Sequence, residues 1–355
     1  MDRHQVDPDE AREDGRPKGI HVRDIDERDL ELLTVGRISV DLYAEQLGVP
    51  LAEVRAFRKS IGGTATNVAV AAGRLGHHAA VFTRVGDDDF GRYVRGALTE
   101  TFGVDVRFVG TDPALRTPLA FAELRDPDEP VIIFYRDPKA PDMNIALDDI
   151  DLGVVRRVPI LWFPAACLSQ EPSRSTIHSL LDARARAVHT IFDLDWRPHF
   201  WASPAAARLE IDAVLDRVTM AIGNRTECET AVGASDPEVA AERLLARGLQ
   251  SAIVKMGADG VLIATADGAR ERIEPFPIDV VCGLGAGDAF GGALCHGLLS
   301  GWSLAESVRA GNAAGAIVAS RLMCADDMPT IDDIQRLIGH GSTDLAVKGV
   351  EHVAH

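Results

Sequence analysis

Residues 282–298 read CGLGAGDAFGGALCHGL, a glycine-rich turn that leads into an apolar stretch with helical spacing. Three glycines, Gly283, Gly285 and Gly287, precede Asp288. A helix that begins here presents free backbone N–H groups and the positive end of its dipole beside a carboxylate. The pattern therefore predicts an anion-binding site that also contains a base. The alternative is an aspartate that caps a helix after a flexible loop.

A second glycine cluster lies far upstream, where residues 61–67 read IGGTATN and again precede a helical pattern. Bare backbone at such a position allows a small polyhydroxylated ligand to approach closely. Neither cluster matches the Walker A loop G-x-x-x-x-G-K-[ST] or the dinucleotide fingerprint G-x-G-x-x-G. The sequence thus argues against P-loop enzymes and against Rossmann dehydrogenases.

Buried strands and helices alternate along most of the chain. The apolar runs predict strands at 31–36, 79–85, 159–163, 190–193, 218–222 and 252–256. Helical periodicity predicts helices at 66–75, 173–186, 205–216, 287–300 and 304–320. This order indicates an α/β fold with a mostly parallel sheet flanked by helices. The β-rich patterns at about 37–60 and 115–140 predict a small β lid.

The chain has 355 residues, which is enough for one large α/β domain. We place this domain at residues 29–340. Residues 1–28 are highly charged and show no hydrophobic period, so we expect a flexible N-terminal tail there. Residues 341–355 are polar and are expected to form a C-terminal tail.

Composition excludes several classes of partner. The net charge is −17 and no basic cluster is visible, so neither nucleic acid nor an anionic membrane surface is an expected partner. No apolar stretch is long enough to cross a bilayer. The five cysteines are widely spaced and form no C-x-x-C pair, which is typical of reduced thiols in the cytoplasm.

Other residues occur between and around the two clusters in a characteristic order: Asp41 after the first strand, Asn224-Arg-Thr-Glu227, Lys255-Met-Gly257-Ala-Asp-Gly260, and Asn312. With both glycine clusters, they make residues 30–335 resemble the PfkB, or ribokinase, family of carbohydrate kinases. The resemblance implies a ribokinase-like fold and ATP-dependent phosphorylation of a sugar hydroxyl.

The resemblance also implies a role for each matching residue. Asp288 would be the catalytic base, and Gly285, Ala286 and Gly287 would form the anion hole. The sugar would be bound by Asp41, Gly62, Gly63 and Asn67. ATP would be held near Asn224, Lys255, Gly257, Gly260 and Asn312. Mg²⁺ would be positioned, through water, by Glu227 and Asn224.

One position departs from the family pattern. Many relatives have an aspartate six residues before the base, where it helps to bind a monovalent cation, and this chain has Cys282. A neutral thiol is a poor ligand for a hard cation. The sequence therefore does not favour potassium activation, although backbone carbonyls could still form such a site.

Two segments with arginines bear on the substrate, one around Arg136 and one around Arg197. Arginine pairs bidentately with carboxylates, a partner that neutral sugars lack. Both segments resemble those of kinases for keto-deoxy sugar acids. Residues 34–43, 282–290 and 319–329 most resemble kinases that act on 5-dehydro-2-deoxygluconate, with 2-keto-3-deoxygluconate or the sugar of another PfkB kinase as alternatives. The competing interpretation is that both arginines form surface ion pairs.

Many family members pair their lids, so the resemblance also implies a homodimer. Two other classes of function stay open. A non-catalytic sugar-acid sensor would not need Asp288 or Glu227. A nucleotide-binding regulatory protein would not need the first glycine cluster.

Overall fold

The computed structural model describes residues 30–123 and 131–340. The predicted tails at 1–28 and 341–355 lie outside the described residues. Among the helices that are described, none combines the length and the apolar character needed to cross a membrane.

The strands in chain order are β1 (Leu32–Val35), β2 (Ser39–Ala44), β3 (Phe57–Gly62), β4 (Ala79–Gly86), β5 (Val109–Asp112), β6 (Leu119–Glu123), β7 (Val131–Tyr135), β8 (Ile160–Pro164), β9 (Thr190–Asp193), β10 (Met220–Asn224), β11 (Ser251–Lys255), β12 (Val261–Thr265) and β13 (Arg270–Ile273). The main sheet of the described residues has the order β13-β12-β11-β10-β9-β8-β1-β4-β5. Pairing is parallel from β5 to β11, and β12 and β13 are antiparallel. The predicted mostly parallel sheet is confirmed.

The helices are α1 (Thr64–Arg74), α2 (Asp89–Gly96), α3 (Leu152–Arg157), α4 (Ser173–Arg184), α5 (Pro204–Leu215), α6 (Arg225–Val232), α7 (Pro237–Leu245), α8 (Ala286–Leu299), α9 (Leu304–Ala319) and α10 (Ile331–His340). They cover both faces of the sheet. Leu32 belongs to a core with α1, α8 and α9, while Leu33 belongs to a core with α4, α5 and α7. Successive strand residues point to opposite faces, so one apolar run supplies both cores.

A second sheet forms the lid, with the order β3-β2-β6-β7. Its strands lie within the two ranges that the sequence predicts for it, except that β3 ends at Gly62, two residues beyond the first range. Asp41 of β2 pairs with Ala120 of β6, which in turn pairs with Phe134 of β7. These side chains share one face of the lid, and that face closes over the cavity described below.

The hairpin β12–β13 and the helix α10 were not predicted. The strand β12 is an uncharged run of only five residues, VLIAT, and β13 has a single apolar residue after three charged ones. The helix α10 is short and follows a polar turn. Neither has the long periodic pattern from which an element can be recognised in sequence.

Candidate active site

The first turn of α8 is shaped by Gly285. This residue is the N-cap of the helix and has φ of +79°, a left-handed conformation that favours glycine. A Cβ atom here would lie 2.6 Å from Sγ of Cys324, so the turn also lacks space for a side chain. The amides of this turn have no acceptor within the helix and are available to an anion.

Asp288 is the third residue of α8, and its carboxylate is held by a residue of another helix. Nδ2 of Asn67 in α1 donates a hydrogen bond to Oδ2 of Asp288 over 2.7 Å. The two helices approach closely because α8 has glycine where α1 presents Ala71; a Cβ on Gly292 would lie 2.2 Å from that of Ala71. Burial raises the pKa of Asp288 to about 6, against the opposing effect of the Asn67 hydrogen bond.

A cavity of about 60 Å³ opens beside Asp288, under the lid. Its polar lining includes Asp41, which accepts a hydrogen bond from Ser39 over 2.6 Å. Burial raises the pKa of Asp41 to about 6, partly offset by that hydrogen bond. Gly62 makes room for this carboxylate, since a Cβ there would lie 2.0 Å from Oδ2 of Asp41.

Gly63 lines the same cavity just before α1. Its φ is +101°, and a Cβ would lie 2.3 Å from the carbonyl oxygen of Arg37. The structure therefore brings the predicted sugar-binding residues Asp41, Gly62, Gly63 and Asn67 together with the predicted base, Asp288.

The two arginines that were predicted to bind the substrate, Arg136 and Arg197, lie in different places. Arg197 lines the Asp288 cavity, and its Nη2 lies 2.9 Å from Oδ1 of Asp195. Arg136 instead lines a neighbouring cavity of about 330 Å³. Both terminal nitrogens of Arg136 donate to the fully buried carboxylate of Asp142, over 2.5 and 3.2 Å. The structure thus does not bring Arg136 into contact with the cavity in which we expected it.

A larger cavity of about 550 Å³ lies on the other side of the α8 turn. Its walls include the predicted nucleotide-binding residues Lys255, Gly257, Gly260 and Asn312, together with the aromatic rings of Phe276 and Phe290. Nδ2 of Asn312 donates to the carbonyl oxygen of Glu274 over 2.9 Å. A mainly apolar cavity with a few polar groups at its rim suits a flat heteroaromatic base.

The two cavities meet at the first turn of α8. Gly285 and Asp288 line the smaller cavity, while Ala286 and Gly287 line the larger one. A group that passes from one cavity to the other has to cross beside the free amides of this turn.

Comparison with known proteins agrees with this arrangement. The model of the pfkB family carbohydrate kinases matches residues 29–331. The chain belongs to this family. It is therefore an ATP-dependent sugar kinase.

Among its relatives, 5-dehydro-2-deoxygluconokinase from Geobacillus thermodenitrificans is 32% identical over 321 residues, which cover 89% of this chain and 95% of the relative. Aminoimidazole riboside kinase from Salmonella enterica has a TM-score of 0.73 at 26% identity, over 87% of this chain and 99% of that one. A putative ribokinase II from E. coli, in complex with ATP and Mg²⁺, shares the fold with a TM-score of 0.79 at 22% identity, over 87% and 99% of the two chains.

In this PfkB kinase, charged groups gather where β9, β10 and β11 end. Asn224 and Glu227 form a capping box at the start of α6: the Asn224 amide donates to Oε2 of Glu227 over 2.6 Å, and the Glu227 amide donates to Oδ1 of Asn224 over 2.9 Å. Nζ of Lys255 lies 4.0 Å from Oε2 of Glu227. Burial lowers the pKa of Lys255, but Glu227 and Asp193 outweigh this effect and raise it.

No role was predicted from the sequence for Asp193, Asp195 or Arg37. Asp193 ends β9 and Asp195 follows it, while Arg37 follows β1. Ligands of open α/β sheets bind outside the carboxyl ends of the strands, and this rule could have singled out all three residues.

Cys282, the departure from the family pattern, is fully buried. Burial raises the pKa of its thiol, so the sulfur stays protonated near neutral pH. We predicted that the side chain of Cys282 does not bind a monovalent cation, and this stays a prediction.

Proposed function

We propose that this kinase phosphorylates the primary hydroxyl of a keto-deoxy sugar acid, converting 5-dehydro-2-deoxy-D-gluconate to its 6-phosphate. The observation that carries the proposal is the first turn of α8, at which the Asp288 cavity and the nucleotide cavity meet. The name of the Geobacillus relative supports this substrate, as does the guanidinium of Arg197 in the cavity wall. The reaction would belong to inositol catabolism in the cytoplasm.

In the proposed reaction, Asp288 accepts the proton of the substrate hydroxyl. The hydroxyl oxygen forms a bond to the γ-phosphorus of ATP, and the bond from that phosphorus to the β,γ-bridging oxygen breaks. ADP leaves with the electron pair of that bond. The amides of Gly285, Ala286 and Gly287 stabilise the negative charge on the transferred group.

Mg²⁺ fits the residues at the end of β10. In the described residues, no group of three metal-binding side chains occurs. Mg²⁺ does not need one, because it keeps several waters and is held by one or two carboxylates plus substrate phosphates. Glu227 would hold it, with Asn224 contacting its waters, and the ion would neutralise phosphate charge during transfer.

The test of this function is an ATP-to-ADP coupled assay. The panel contains 5-dehydro-2-deoxygluconate, 2-keto-3-deoxygluconate, fructose, ribose and adenosine. We expect the highest kcat/KM for 5-dehydro-2-deoxygluconate. Preference for a neutral sugar would assign the chain to another PfkB activity, and binding of the acid without ADP release would identify a sensor.

The pH dependence of the assay reports on the base. Only the carboxylate form of Asp288 accepts a proton, and its pKa is raised to about 6 by burial. We expect kcat/KM to fall as the pH decreases through about 6 and to be flat from pH 7 to 8. Asp41 titrates in the same range. The kcat/KM of Asp41→Asn should therefore still fall at low pH, because Asp288 is unchanged. If kcat/KM of the native enzyme is flat from pH 5 to 8, the assignment of the base is contradicted.

We further propose that two copies of the chain associate through the outer face of the lid. Alternate residues of the lid strands point away from the cavity, and several of them are apolar: Leu42, Phe57, Phe121, Ile133 and Tyr135. The rings of Phe57, Phe121 and Tyr135 form a row, with centroid distances of 5.4 and 5.2 Å. Tyr135 is 60% exposed in the single chain. Such a contiguous apolar face on a soluble protein indicates an interface.

Size-exclusion chromatography with light scattering tests the proposed dimer. We expect the native chain to elute as a dimer at micromolar concentration and Ile133→Lys to elute as a monomer, because a charge is then buried in the interface. Leu209→Lys is the matched control, since Leu209 is 70% exposed on α5. A native monomer, or dissociation by the Leu209 variant alone, would contradict the lid interface.

A further inference from the structure

We propose that Arg37, acting with Arg197, binds the carboxylate of the substrate, and that Asp195 is the positioning residue for both guanidinium groups. This inference rests on the proposed function and assigns the acid specificity to a residue outside the family motifs described above.

The three side chains form a row of charges in which Arg37 and Asp195 are buried and the side chain of Arg197 is 37% exposed. Nη2 of Arg37 lies 3.0 Å from Oδ2 of Asp195, and Nη2 of Arg197 lies 2.9 Å from Oδ1 of the same carboxylate. Thr64 joins them: its hydroxyl donates to Asp195 over 2.9 Å and accepts from Arg37 over 2.7 Å. Two guanidinium groups share the carboxylate of Asp195. Arg197 also has a second carboxylate, since its Nη1 lies 4.0 Å from Oε1 of Glu227, whereas Arg37 forms an ion pair with Asp195 alone among the described residues.

Both arginines line the substrate cavity. The side chain of Arg37 is only 5% exposed, and its Nε is buried with no hydrogen-bond acceptor among the described residues. A buried charged donor without an acceptor is costly. A carboxylate is the ligand group that supplies the missing acceptor together with a negative charge that Arg37 does not have to share.

The rest of the cavity suits the hydroxyl groups of the same ligand. Oδ1 of Asn67 is also buried with no donor among the described residues, so it can accept a hydrogen bond from a sugar hydroxyl. Asp41 offers further acceptor atoms. The cavity thus combines acceptors for hydroxyls with a cationic donor, as a polyhydroxylated acid requires.

Arg136 does not share its carboxylate in this way. It forms a one-to-one pair with Asp142 and lines the second cavity. The Cζ atoms of Arg37 and Arg136 both lie 5.0 Å from the centre of the Phe200 ring, which helps to hold each guanidinium in place. Both arginines therefore contact Phe200, but only Arg37 shares its carboxylate with a second arginine.

The alternative role for Arg37 is contact with the phosphates of ATP. The nucleotide cavity is lined by Lys255, Ala286 and Gly287, whereas Arg37 lines the sugar cavity with Ser39 and Asp41. A phosphate contact would change the KM for ATP or kcat, and a carboxylate contact would change the KM for the acid.

The experiment compares native enzyme, Arg37→Gln and Arg84→Gln. The Arg37 variant should fold, because Asp195 keeps Arg197 and Thr64 as partners. We expect its KM for 5-dehydro-2-deoxygluconate to rise roughly tenfold to a hundredfold, with a KM for ATP within about twofold of the native value. Arg84 forms a bidentate pair with Asp149 away from both cavities, so its variant controls for loss of an ion pair and should keep the native KM for the acid.

Three outcomes would count against the inference. An unchanged KM for the acid in Arg37→Gln, with native acid preference intact, would overturn the inference and leave the proposed function standing. An equal rise in the KM values for the acid and for ATP would assign Arg37 to the phosphates or to the fold. A native enzyme with no preference for acids over neutral sugars would overturn both proposals.

Discussion

Asp288→Asn is expected to lower kcat by roughly 10²–10⁴-fold, because the amide cannot accept the proton of the attacking hydroxyl. The replacement keeps the size of the side chain and can still hydrogen-bond to Asn67. The affinity for ATP should change little, since the nucleotide cavity is lined by other residues. Steady-state kinetics with the sugar acid and with ATP measure both effects.

Asp333→Asn provides a matched control for this variant. Asp333 is also the third residue of a helix, α10, where it accepts a hydrogen bond from the Thr330 amide over 3.1 Å. Its replacement removes a charge from a helix start without touching either cavity, so kcat should stay close to the native value. Near-native turnover of Asp288→Asn would overturn the assignment of the base.

Arg136→Ala is expected to destabilise the protein by about 3–5 kcal/mol, because it leaves the buried carboxylate of Asp142 without its cation. Asp142 would then keep the hydrogen bond from the backbone amide of Ile38, which lies between β1 and β2, over 2.9 Å. Urea denaturation of the native chain and the variant measures the loss.

The double variant Arg136→Met, Asp142→Asn tests the physical cause. Removal of both charges should recover most of the lost stability, since an asparagine oxygen can still accept from the Ile38 amide. Equal instability of the single and double variants would show that the guanidinium acts through packing. A rise in the KM for the acid, at a temperature where Arg136→Ala is folded, would instead support the substrate role that the sequence suggested.

The sequence alone was sufficient for the layout of the fold and for part of the site. Apolar runs and helical periods are local properties, so the strands β1, β4, β8 and β9 could be predicted, as could the helices α1 and α4. The two glycine clusters can also be recognised from residues that are neighbours in the sequence. A turn with free amides followed by Asp288 predicts an anion site and a base before any contact is known.

Ion pairing was decided by the tertiary structure. Arg37 and Asp195 are 158 residues apart and meet because β1 and β9 both flank β8, so that their carboxyl ends lie at one edge of the sheet. No local pattern distinguishes an arginine that pairs with a carboxylate of its own from an arginine that shares its carboxylate with a second arginine. Arg136 therefore appeared as a candidate ligand in the sequence, while the structure shows that Asp142 already neutralises it. Periodicity and turn chemistry act between neighbours in the chain, whereas the balance of buried charge depends on distances that exist only after folding.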